Sequence, residues 1–136
     1  MATMSHVRLV QDLYAAFGRG DVPGVLGAFA ADIEWREAEG NPYQQSGKAW
    51  VGPEAVLQNL FMRMGVDWEF FAAQTLRYHH AGTAVIVEGR YTARHKQSAK
   101  SLDSQFCHVW QIRDGKIASF QQYTDTAQWQ DVMQAP

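Results

Sequence analysis

The dipeptide Asp114-Gly115 constrains the fold of this chain more than any other feature. It sits between two alternating runs in residues 108–129, HVWQIRDGKIASFQQYTDTAQW. Both positions tolerate positive φ, so the pair favours a two-residue hairpin turn. With that turn as register and strict alternation along each arm, Ile112 faces Ile117, Trp110 faces Ser119, His108 faces Gln121 and Phe106 faces Tyr123. On the other surface Gln111 meets Ala118, Val109 meets Phe120, Cys107 meets Gln122 and Gln105 meets Thr124. One surface is heavy with aromatic rings, and the other mixes small, apolar and amide groups. Neither reads as a solvated face, so the hairpin is expected to be covered on both sides.

The rest of the chain supplies the covers. Ser5 is positioned to cap a first helix running to about Arg19, with Val7, Val10, Tyr14 and Phe17 on one stripe. Gly18-Arg19-Gly20 ends it. Asp21 caps a short second helix with Pro23 in its first turn and Val25, Leu26 and Phe29 facing inward. The period then changes: Ile33, Trp35 and Glu37 alternate with Glu34, Arg36 and Ala38 as a short strand. Residues 39–52 read as a long loop. Pro53 opens a third helix with Val56, Leu57, Leu60, Phe61 and Met64 buried. Strands follow over 68–78, 83–95, 102–112 and 116–124, with turns at 79–82 and 96–101, and Asp125 caps a final helix ending near Gln134. Helices grouped apart from an antiparallel meander make an α+β domain spanning 1–136. A curved sheet with the three N-terminal helices on its concave face forms a cone-shaped barrel with an internal ligand site.

Composition narrows the function. The chain has 136 residues, 46% apolar and 19% charged, which is ordinary for a globular domain. A net charge of −2 and the absence of a basic run argue against nucleic acid and anionic membranes as partners. No apolar run is long enough to span a bilayer, and no signal-peptide core is present. The one cysteine, Cys107, excludes an internal disulfide and suits a cytoplasmic protein. The five histidines show no metal-ligand spacing, so neither a metal nor another cofactor is expected.

Three stretches, DLYAAFGRGDVPGVLGAFAADIEW (12–35), WVGPEAV (50–56) and DGKIASFQQYTDTA (114–127), resemble the nuclear transport factor 2-like superfamily. Within it they are similar to the SnoaL-like branch, related to ketosteroid isomerases and polyketide cyclases. The resemblance implies the cone fold and a homodimer formed through the sheets. It places Glu37 where the isomerases hold a carboxylate base. Their oxyanion-hole tyrosine aligns with Leu13, one position before Tyr14, and their oxyanion-hole aspartate aligns with Cys107. A catalytic aspartate of the related epoxide hydrolases aligns with Gln122.

These readings converge on a cofactor-free isomerase, cyclase or lyase acting on a small hydrophobic carbonyl compound. A binding module without chemistry and a dimerising assembly domain are the alternatives. Glu37 is the candidate proton carrier if it faces the apolar cone, where burial would raise its pKa; otherwise it ends the strand in solvent. Tyr14 is the candidate hydrogen-bond donor, or else simply core. The expected pocket walls are Phe17, Trp35, Phe61, Gln105, Cys107, Val109, Phe120 and Gln122. Cys107 reads as a small buried hydrophobe, because His108 beside it points to the opposite face. Phe106, His108, Trp110 and Tyr123 would then form an aromatic convex surface for the dimer.

Overall fold

The computed structural model describes residues 2–134, with side chains from residue 6 onward. Helix α1 (Ala2–Gly18) already runs upstream of Ser5, so Ser5 does not begin it, and its side chain lies outside those described. The buried stripe of α1 is Val10, Leu13 and Ala16, with Tyr14 and Phe17 packed beside it. Helix α2 (Val22–Gly27) is capped by the Asp21 carboxylate, which accepts from the Gly24 N–H at 3.0 Å. Phe29, expected on that helix, instead opens strand β1 (Phe29–Arg36) and is buried there.

The stretch expected as loop contains a short strand, β2 (Trp50–Val51), paired antiparallel with β1. Helices α3 (Pro53–Val56) and α4 (Met62–Asp67) are joined by a π-helical turn, Leu57–Phe61, so the three pieces make one continuous helix. Four long strands follow: β3 (Trp68–Ala81), β4 (Ala84–His95), β5 (Ser101–Arg113) and β6 (Lys116–Thr124). The first turn among them falls at Gly82-Thr83, while His79 and His80 remain paired in β3. Helix α5 (Thr126–Val132) is capped by Asp125, which accepts from Gln128 N–H at 3.3 Å. The Gln128 side chain accepts from the Asp103 N–H at 2.6 Å instead of closing a reciprocal capping box.

The strand order is β2-β1-β6-β5-β4-β3. Every pair is antiparallel except β1 with β6, so the expected antiparallel sheet is mixed, and it is open at β2 and β3 and does not close into a barrel. The α+β architecture and the apolar interior between helices and sheet are as expected. Gly89 on β4 faces that interior opposite Phe106. A Cβ there would collide with the Gln74 carbonyl oxygen and with the Phe106 ring. Its bareness lets the Phe106 ring lie over the strand, as inward glycines do in curved sheets.

The hairpin corrects the sequence reading. Asp114 and Gly115 do adopt positive φ, at 52° and 73°, and Ile112 does pair with Ile117. Gln111 then pairs with Ser119, leaving Ala118 as a bulge. Beyond it Trp110 pairs with Phe120, Val109 with Gln121, His108 with Gln122, Cys107 with Tyr123 and Phe106 with Thr124. Ile117 and Phe120 explain the slip: they stand three apart, and both are buried, at 0% and 2% exposure. Strict alternation would put one of them in water at a cost of about 1.5–3 kcal/mol. A disturbed ladder hydrogen bond costs about 1 kcal/mol, so the bulge wins. Phe106, His108, Trp110, Phe120 and Gln122 therefore share the inner face, and Gln105, Cys107, Val109 and Tyr123 the outer one.

Candidate functional site

Between the helices and the sheet lies a cavity of about 60 Å³, walled mainly by rings from Tyr14, Phe17, Trp35, Phe61, Phe71, Tyr91, Trp110, Phe120 and Trp129. Its polar groups are few. Glu37 follows directly on β1, and the alternation that buries Ile33 and Trp35 carries it inward to 2% exposure. One carboxylate oxygen accepts from the Trp35 indole N–H at 3.2 Å. Burial outweighs that bond and pushes the carboxyl up to about 7.

A chain of hydrogen bonds centred on His108 lines the same cavity as this acid. The Trp110 indole N–H donates to the Tyr14 hydroxyl at 3.0 Å, and that hydroxyl is hydrogen-bonded to His108 Nδ1 at 2.6 Å. His108 Nε2 is hydrogen-bonded to the Tyr91 hydroxyl at 2.5 Å, which also accepts from the Gln122 amide Nε2 at 2.9 Å. The Gln122 orientation is fixed at its other end, where Oε1 accepts from the Ala38 N–H at 3.2 Å and from Asn41 Nδ2 at 3.0 Å. His108 is 4% exposed, and burial holds its pKa well below the usual histidine value, so the ring is neutral. Burial likewise raises both phenol pKa values, and neither hydroxyl ionises. Trp129, in the same wall, carries the one buried side-chain polar atom without a partner among the described residues, its indole N–H. Buried donors of this kind are normally satisfied by protein, water or ligand.

Of the residues expected in the site, Glu37, Tyr14, Phe17, Trp35, Phe61, Phe120 and Gln122 all line the cavity. Gln105, Cys107 and Val109 do not; the bulge at Ala118 puts them on the outer face, where Cys107 pairs with Tyr123. Burial pushes the Cys107 thiol up, which leaves it a poor nucleophile. Phe106, His108 and Trp110, expected on an outer dimer face, are inside at 4%, 4% and 3% exposure. Of that group only Tyr123 is outward, at 57%. Tyr91 and Asn41 were not singled out from sequence. Tyr91 carried a usable signal, since it lies in phase with Val85 and Val87 on β4; Asn41, in an irregular segment, carried none. Among the described residues no three His, Cys, Asp or Glu side chains cluster to hold a metal ion, and no helix is long and apolar enough to cross a membrane.

The model of the SnoaL-like domain family matches residues 10–120, most of the chain. The chain belongs to the SnoaL-like family. A crystal structure of a nuclear transport factor 2-like protein from Burkholderia thailandensis is 32% identical to this SnoaL-like chain. The match covers 95% of this chain and 97% of that one, with a TM-score of 0.88. A protein from Xanthomonas campestris provisionally named a polyketide cyclase superposes with a TM-score of 0.83 at 19% identity, over 98% and 100% of the two chains. A Catenulispora acidiphila protein of ketosteroid isomerase-like fold gives 0.78 at 19% identity, over 94% and 93%. At that identity the last two show the fold alone. None of the curated proteins compared matches the chain.

Proposed function

We propose that this SnoaL-like protein is a cofactor-free proton-transfer enzyme of isomerase or cyclase type, acting on a small, largely apolar carbonyl compound. One observation carries the reading: a fully buried carboxyl with a pKa of about 7 shares an aromatic cavity with two un-ionised phenols. A base poised near neutral pH is suited to take a proton from the carbon beside a carbonyl. Tyr14 or Tyr91 donates a hydrogen bond to the oxygen as it gains charge, in a site with little water to screen it. Glu37 then returns the proton to a different carbon, or the enolate attacks a second carbonyl within the substrate. The inner cavity accommodates only the reacting end. A neighbouring hollow of about 220 Å³ shares Phe17, Val25, Phe61, Met64 and Phe71 with it, and takes the apolar remainder.

The substrate need not be identified for the test. A panel of small linear and cyclic ketones is incubated with the protein in D2O, and α-proton exchange is followed by NMR. The wild type should accelerate exchange for at least one ketone, with a rate that rises with pH and levels off above about 7 as Glu37 ionises. Glu37→Gln should lower that rate about 10²–10⁴-fold. Equal rates for both proteins across the panel would refute the assignment. A binding role without chemistry is the second reading, favoured by Gln122 standing where related hydrolases hold an acid. Ketones that bind to the wild type and exchange no faster than in buffer would select it.

A further inference from the structure

The chain of hydrogen bonds through His108 holds more protons than it can place. Its four links are Trp110–Tyr14, Tyr14–His108, His108–Tyr91 and Gln122–Tyr91. Five protons are available to them: one each from the Trp110 indole, the two phenols, the neutral imidazole and the Gln122 amide N–H aimed at Tyr91. A neutral imidazole donates from one nitrogen and accepts at the other. If Nε2 carries the proton, Tyr14 donates to Nδ1 and Tyr91 accepts from both sides, leaving the Tyr91 hydroxyl proton unclaimed. If Nδ1 carries it, Tyr91 donates to Nε2 and the Tyr14 proton is unclaimed. Either way one phenol proton has no acceptor in the chain, and both phenols line the cavity.

We propose that His108 is a positioning residue whose two tautomers move this spare hydroxyl proton between Tyr91 and Tyr14, with Glu37 setting which is favoured. The proposal rests on the reading above for the role of Glu37. Glu37 lies toward the Tyr91 end of the chain: Gln122, which donates to Tyr91, also accepts from the N–H of Ala38 next to Glu37, and after burial the Glu37 charge raises the Tyr91 pKa. When ionised it favours a Tyr91 hydroxyl turned toward it, and so the proton on Nε2. Once Glu37 is protonated that preference is lost, and Nε2 passes its proton to Tyr91, which then donates back to Nε2. The ring proton is then on Nδ1, and Tyr14 gains the free donor. Glu37 taking a proton from carbon thus arms Tyr14 toward the oxygen.

Protons balance in this shift. Tyr14 passes one to Nδ1, and Nε2 passes one to Tyr91. Tyr91 gives up its former hydroxyl proton to a hydroxylic occupant of the cavity, and Tyr14 takes one from it. A cavity of about 60 Å³ is roomy enough for water in that role. No other ionisable side chain lines the cavity among the described residues. Tyr78 on β3 meets Tyr14 edge-on at 6.3 Å, and Cys107 on β5 adds to the field at Tyr14 from the outer face. Glu39 and Tyr123 line a separate surface hollow that also touches Glu37. None of these four takes part in the chain of hydrogen bonds.

The test reads the tautomer directly in the free, full-length protein. Two-bond proton–nitrogen NMR on histidine-labelled protein, from pH 5.5 to 8.5, should show His108 neutral throughout. Its ring proton should shift from Nε2 above about pH 7 to Nδ1 below it. Glu37→Gln and Tyr91→Phe should each abolish the shift. One fixed tautomer across the range, protonation to imidazolium, or an unchanged transition in Glu37→Gln overturns the proposal. No ketone is present, so the result is independent of catalysis. A tautomer switch without exchange activity removes the enzyme reading and leaves the relay, and the reverse removes only the relay.

Discussion

Glu37 links the site to stability through its charge. Its pKa is raised from 4.5 to about 7 by burial, so between those values the folded protein holds a proton that the unfolded chain releases. The stabilisation is complete below pH 4.5 and is lost as pH rises to about 7; the shift corresponds to about 3 kcal/mol. Glu37→Gln cannot ionise and still offers the Trp35 indole an oxygen. It should therefore match the wild type near pH 4.5 and exceed it by about 3 kcal/mol at pH 8, measured by urea unfolding. His108 acts in the opposite sense below its ordinary pKa, since its neutral burial resists protonation, so the comparison is between the two proteins at each pH. Tyr14→Phe tests the chain itself. It leaves the Trp110 indole and His108 Nδ1 without a partner, and should cost about 1–3 kcal/mol along with most of the exchange rate.

At the level of elements, the departure that most reshapes the site turns on a single residue. The turn chemistry of Asp114-Gly115 was legible, and so were the strand positions and the inward phase of Ile33, Trp35 and Glu37. Ala118 was not, because alternation assumes an unbroken pleat. Its cost was large: one extra residue moved His108 and Trp110 from an expected outer surface to the heart of the site, and Cys107 out of it. The warning lay in the spacing of Ile117 and Phe120, two large apolar residues that no regular strand can turn to the same face. Deleting Ala118 brings Ile117 and Phe120 to a spacing of two, so a regular ladder keeps both of them and Gln122 inside, and cooperative thermal unfolding should survive the deletion. Gly89→Ala probes the other irregular point. With no room between the Gln74 carbonyl and the Phe106 ring, it should lower stability by about 1–3 kcal/mol, read as a fall in Tm.

For the whole molecule, the outer sheet face is the surface left unexplained by the cavity. Ile86, Cys107 and Tyr123 meet there in a broad hollow, flanked at one side by Glu88, which is held down to about 2 by Arg77 and His79. We propose that a second copy of the chain covers it, as the family resemblance implied, with Tyr123 alone of the residues first expected taking part. Sedimentation should then give a dimer for the wild type and a monomer for Tyr123→Arg; a wild-type monomer at tens of micromolar would end that proposal. The site itself is drawn from distant parts of the chain, with Tyr14 and Glu37 near one end and His108, Gln122 and Trp129 near the other. Synthesis proceeds from the N-terminus, so Glu37 leaves the ribosome long before the strand and helix that enclose it. In a nascent chain it is an ordinary ionised carboxylate in water. Its carboxyl is pushed up to about 7 only when β6 and α5 have docked, so on the proposed reading no chain lacking them carries a reactive pocket.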